Sequence, residues 1–93
     1  MHFLYDAAKD ASNQEKHGIG FGGGRGLWND RGLVEMAAKK RGERRRMVIA
    51  KMDGVCRTAI IAYRGIAVRI ISVRRSTKKE ARFYDRCNNR RKP

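Results

Sequence analysis

Three stretches of the chain carry side chains whose type and spacing suit proton transfer and charge stabilisation at a phosphate. The first is Lys16-His17-Gly18. Imidazole is the one side chain whose unperturbed pKa lets it take and give a proton near neutrality. The only other histidine is His2. The tripeptide also has a purely structural reading, since cations in the last turn of a helix complement its dipole and glycine supplies a left-handed cap. The second stretch runs from Arg41 to Arg46 and holds a single carboxylate, Glu43, among basic neighbours. Such a carboxylate stays ionised, which serves ion pairing as well as it serves base catalysis. On a strand, Arg44 and Arg46 would face one side and Arg45 the other. The third is Arg69-Ile70-Ile71-Ser72-Val73-Arg74-Arg75. Arg69 interrupts an apolar run, so its guanidinium must find a partner or line a cleft. Arg74 and Arg75 end the run, where they can clamp a phosphate with bidentate geometry and stabilise the charge that grows on it during transfer.

Other features carry less. Gly18, Gly20 and Gly23 satisfy the dinucleotide-binding spacing, but a helix rather than a strand is expected before them, and that reading is rejected. A single Gly-Gly-Gly-Arg-Gly segment is weak evidence for an RNA-binding arginine–glycine repeat. Of the aromatic residues that could stack on bases, Trp28 and Phe83 suit core packing. Tyr84 is placed to reach the arginine groove.

The elements that must position these residues follow from local pattern. Asp6 suits a helix N-cap, and the alanine-, lysine- and glutamine-rich residues after it extend a helix to Lys16 and His17, where Gly18 stops it. The glycine-rich residues 18–26 read as a loop with at most a short helix around Leu27 and Trp28. Strands are expected over Arg44–Lys51, Val55–Tyr63 and Ile66–Arg74, joined by a hairpin turn at Asp53-Gly54 and a second turn at Arg64-Gly65, so that a three-stranded meander results. Leu33–Met36 is a weaker fourth strand ahead of it. Thr77 followed by Glu80 forms a capping box that starts a last helix. That helix should run to about Cys87, with Ala81 and Tyr84 on one face and Lys78, Arg82 and Arg86 outside. The tail, residues 88–93, is polar and basic and reads as disordered.

With 93 residues the chain suits one domain with one modest core. Its net charge of +14 points to a polyanion, and the charge is uneven. Residues 1–38 hold four basic against five acidic side chains, and residues 39–93 hold nineteen against four, so the second half is the polyanion contact. Cys56 and Cys87 are too few for a disulfide framework and lack metal-ligand spacing, which suits free thiols in a reducing cytoplasm. No apolar run is long enough for a signal peptide or a membrane span.

Taken in order, Tyr5-Asp6, Lys9, Asn13, Lys16-His17-Gly18, Phe21, Gly42-Glu43, Arg69 to Ser72, Arg74-Arg75, Glu80 and Tyr84 resemble the BrnT family of ribonuclease toxins over about residues 3–85. The resemblance implies an α+β, RelE-like fold: two N-terminal helices, the second short or irregular, a four-stranded antiparallel sheet and a C-terminal helix. It implies a single toxin domain over residues 1–87 and a type II toxin–antitoxin system. The neutralising partner would be a ribbon-helix-helix antitoxin of the BrnA kind, and their hetero-oligomer would bind operator DNA, with no membrane involved. Carried over by motif, His17, Glu43, Arg69 and Arg75 are candidate catalytic residues, and Lys16, Arg45, Arg74 and Tyr84 candidate RNA contacts. The sequence departs from the family at Tyr5, where a tryptophan is usual, and at Gly22 to Gly24, where an acidic, alanine-rich second helix is usual. The combined expectation is a metal-independent endoribonuclease of the bacterial cytoplasm that needs no cofactor. A non-catalytic nucleic-acid-binding module or an inactive toxin relic is the alternative.

Overall fold

A computed structural model of the chain describes residues 2–4, 24–38 and 45–91. Its centre is a meander of long β-branched strands, β3 (Arg45–Met52), β4 (Val55–Arg64) and β5 (Ala67–Arg75), preceded by β2 (Val34–Ala37). All of these pair antiparallel. The β3–β4 turn is the Asp-Gly type expected from the sequence, with φ of 54° at Asp53 and 77° at Gly54, a left-handed pair whose twist matches that of the flanking strands. The expected fourth strand is present as β2 and pairs from Val34 opposite Ile49 to Ala37 opposite Arg46.

Two expectations are corrected. The sheet has five strands and is mixed, in the order β1-β5-β4-β3-β2, because β1 (His2–Leu4) pairs parallel with β5 from His2 opposite Ala67 to Leu4 opposite Arg69. The four-stranded antiparallel sheet is therefore wrong by a short strand whose partner lies more than sixty residues away. Among the described residues there is one α-helix, the C-terminal α1 (Lys78–Arg91), and not a C-terminal helix with two N-terminal ones. The stretch expected to hold the first helix, residues 7–17, lies outside the described residues. Where the second was expected, Arg25–Asn29 makes a five-residue 3-10 turn. Helix α1 also runs on through Asn88 to Arg91, beyond the expected stop at Cys87.

The sheet is covered on both faces. One face carries Val48, Ala50, Ala59, Ile61, Val68, Ile70 and Val73, closed by Leu27 of the 3-10 turn. Phe3 of β1 meets Trp28 edge-on there, ring centres 4.9 Å apart. The other face carries Ile49 and Val34 with Met36, Met47 and Cys56, closed by Tyr84 and Cys87 of α1. Cys56 and Cys87 are free thiols.

Asp30 ties the covers together. Its carboxylate accepts from Gly32 N at 2.8 Å, Lys51 N at 2.7 Å and the Tyr84 hydroxyl at 2.6 Å. Burial raises its pKa, but these donors outweigh burial and hold it below the ordinary value. Asn88 of α1 donates to Gly32 O at 3.0 Å. Helix and loop approach so closely that a Cβ on Gly32 would lie 2.8 Å from the Tyr84 hydroxyl oxygen. Gly32→Ala should therefore cost about 1–3 kcal/mol, the usual range for overpacking, read as a lower urea midpoint with an unchanged slope.

Candidate functional site

Strand β5 does not alternate regularly. Ile60 pairs with Ser72 but Ile61 pairs with Ile70, so Ile71 is an extra residue and a β-bulge. Strict alternation would put Arg69 and Arg75 on one face and Arg74 on the other. With the bulge, Arg69 and Arg74 share the face covered by α1, and Arg75 joins Val73 and Ile70 on the opposite face. The three arginines expected to form one groove are divided between the faces.

Arg69 keeps a promising position. It pairs with Ala62 of β4, and Ala62 pairs on its other side with Arg45 of β3, so the two arginines flank a small residue in one row across three strands. Two strand spacings separate their α-carbons by roughly 10 Å, within which two guanidinium groups can converge on one phosphate. Both take part in further interactions within the chain. Ala62 is buried and offers no bulk between them.

Arg74 has another task. Its Nη1 and Nη2 donate to Glu80 Oε1 at 2.7 Å and Oε2 at 2.8 Å, a two-pronged ion pair between β5 and the first turn of α1. Glu80 Oε1 also accepts from the buried Thr58 hydroxyl at 3.0 Å and from Thr77 N at 2.9 Å, and the Thr77 hydroxyl accepts from Glu80 N at 3.1 Å. This is the capping box expected from the sequence, with a sheet arginine added to it. The Arg74 guanidinium, above all, holds the Glu80 carboxyl down at about 2. Arg74 is thus committed to a carboxylate through its terminal Nη1–Nη2 fork, which is not open to a phosphate.

Tyr84 is not beside the arginines. It is 7% exposed, its ring packs under α1, and its hydroxyl is spent on Asp30. Burial and the Asp30 carboxylate push its pKa well above the ordinary value. Phe83, expected in the core, is instead 36% exposed. With Met36, Met47, Ile49 and Ile60 it lines a cavity of about 700 Å³ between the sheet and α1, with Arg45 and Lys79 at its polar margin. That lining is apolar and does not suit a phosphate chain. Lys16, His17 and Glu43 lie outside the described residues.

On the opposite face the sequence reading missed two clusters. Arg46 Nε and the Tyr63 hydroxyl both donate to Glu35, at 2.9 and 2.6 Å, near the edge of the sheet formed by β2. That contact raises the Tyr63 pKa. Farther along, Arg57 stands directly opposite Arg75. Neither cluster follows from local spacing, because each is assembled by strand register.

Residues 5–80 match the family model described as the ribonuclease toxin, BrnT, of type II toxin–antitoxin systems. The chain belongs to the BrnT family. Comparison with curated proteins finds no match. BrnT membership makes RNA the substrate class and an antitoxin the partner. Among the described residues, no helix is long and apolar enough to cross a membrane.

Two outcomes follow for this BrnT protein. A glutamate held at about 2 when folded and near 4.5 when unfolded stabilises the fold above pH 4.5, and the contribution is lost as pH falls towards 2. Melting temperatures of the wild type should therefore drop through that window, whereas Glu80→Gln should begin lower and show a flatter acid limb. Tyr84→Phe should cost about 1 kcal/mol through its lost hydrogen bond and leave RNA cleavage at the wild-type rate. A loss of cleavage at unchanged stability would return Tyr84 to the site.

Proposed function

We propose that this BrnT protein is a metal-independent endoribonuclease that cuts RNA through the substrate's own 2′-hydroxyl. The 2′-oxygen attacks the adjacent phosphorus, a bond forms between them, and the bond from phosphorus to the 5′-oxygen breaks. The 2′-proton passes to a base and the departing 5′-oxygen takes a proton from an acid, leaving a 2′,3′-cyclic phosphate and a 5′-hydroxyl. His17 and Glu43 are the groups of suitable chemistry for these transfers. The observation that carries the reading is the Arg45–Ala62–Arg69 row, two guanidinium groups able to meet one phosphate on a strand scaffold. Their fixed charge does what catalysis of this kind requires, stabilising the negative charge that develops on the phosphorane. Glu43 stands two residues before Arg45, and two residues of chain reach no more than about 7 Å. In this scheme Arg69 stabilises charge, Arg45 and Lys16 position the RNA backbone, and Arg75 holds flanking RNA on the other face.

The protein acts as a single toxin domain in the cytoplasm and is neutralised by a ribbon-helix-helix antitoxin, the pair binding operator DNA together. The family membership supports an antitoxin, and the excess of positive charge beyond residue 38 supports an acidic one.

Purified protein should cut RNA equally well with and without EDTA and leave cyclic-phosphate ends. Arg69→Ala should lower the cleavage rate by about 10²- to 10³-fold, the usual cost of removing one charge-stabilising donor. His17→Ala should lower it by about 10²-fold or more, as for loss of a general acid or base. Normal cleavage by both variants, at unchanged melting temperature, would overturn the site assignment while leaving the activity in place. Cleavage abolished by EDTA would overturn metal independence.

A further inference from the structure

We propose that Arg57 and Arg75 form a phosphate-binding site on the face of the sheet opposite α1, occupied by a backbone phosphate of the RNA. The RNA half of this inference rests on the ribonuclease reading above. The two arginines are direct cross-strand partners on β4 and β5, on the face that also carries Ala59 and Val73. Like charges placed opposite one another on neighbouring strands repel, and a guanidinium cannot relieve the repulsion by losing its proton.

Arg57 is in addition short of acceptors. Its Nε and Nη1 are buried without a hydrogen-bond partner, although buried donors are nearly always bonded. Among the described residues, four carboxylates are engaged elsewhere: Asp30 with Tyr84, Glu35 with Arg46, Glu80 with Arg74 and Asp85 with Lys51. Nη2 is not among the buried atoms, and it forms a fork with either of the two that are. An oxyanion arriving from solvent therefore closes a bidentate contact by taking Nη2 and one buried donor together. Arg75 is exposed beside it and supplies a second cation at the surface. One phosphate would satisfy one of the two orphan donors and offset the repulsion.

The site also extends the path open to RNA. Strand β1 pairs with β5 only at Ala67 to Arg69, and among the described residues no strand covers the outer edge of β5 from Ile70 to Arg75. Arg69 and Arg75 stand at opposite ends of this edge and on opposite faces of it. A strand of RNA crossing the edge meets both.

The test compares wild type, Arg57→Met and Arg75→Met in two assays: melting temperature in inorganic phosphate against chloride at equal ionic strength, and binding of a 2′-O-methyl RNA oligonucleotide, which cannot be cut, across a salt series. Phosphate should raise the wild-type melting temperature, and both variants should lose that rise. Without phosphate, Arg57→Met should melt no lower than wild type, because an unpaired charge has been replaced by an apolar chain. The slope of log affinity against log salt should fall by about 1 in each variant. A lower melting temperature of Arg57→Met without phosphate would show that Arg57 has a partner within the chain and would overturn the site, as would an undiminished response of either variant to phosphate. If the phosphate response is lost but RNA binding is unchanged, or if wild type binds no RNA, the anion site stands and its assignment to RNA falls. In the second case the ribonuclease reading falls with it.

Discussion

The fork between Arg74 and Glu80 is the contact on which the placement of everything else depends. It joins the end of β5 to the start of α1, and Glu80 is at once the partner of the arginine, the capping residue of the helix and the acceptor for buried Thr58. A helix start leaves backbone donors without partners, and a strand end leaves a charge without one. Each solves the problem of the other here. With the start of α1 fixed, Tyr84 falls over Ile49 and reaches Asp30, while Phe83, one position earlier and about 100° round the helix, is left facing the groove. An isolated surface ion pair contributes little to stability, but this one is partly buried and held by four donors, which is why it dictates geometry.

Part of the positive charge beyond residue 38 is therefore spoken for within the fold. Arg74 serves the helix, Arg46 shares Glu35 with Tyr63, and Lys51 lies 5.5 Å above the Tyr84 ring and 3.8 Å from Asp85. A basic patch on a ribonuclease is easily read as one continuous surface for RNA. In this protein it separates into cations that hold carboxylates and cations without a described carboxylate, and Arg57 and Arg75 are in the second group.

The sequence was informative wherever structure follows from neighbours in the chain. The Asp53-Gly54 turn, the meander and the Thr77–Glu80 capping box depend on residues a few positions apart, and all were legible. Strand β1 was not, because three residues have no readable period and pair with a strand more than sixty positions away. Nor was the bulge at Ile71, since Arg69 to Arg75 contains no glycine or proline to mark it, yet it decides which arginines share a face. Family resemblance does not make this distinction either: it offers Arg74 and Tyr84 as RNA contacts, whereas the fold engages them with Glu80 and Asp30. The proposed proton-transfer residues, His17 and Glu43, were singled out by side-chain chemistry and by the family motif, and both lie outside the described residues.

The contact between Asp30 and Tyr84 joins residues 54 positions apart, and α1 follows every strand in the sequence. A chain emerging from the ribosome in order would expose its sheet before the helix that covers one face of it exists. Until then Ile49, Val34 and Met47 are open to water, Arg74 has no glutamate, and the bulged strand is held by its neighbours alone. Such a chain is an unfinished sheet, prone to stick to other chains. For a cell that makes a ribonuclease toxin, maturation of the folded form is thereby deferred until α1 has been made, the moment at which a waiting antitoxin could meet it.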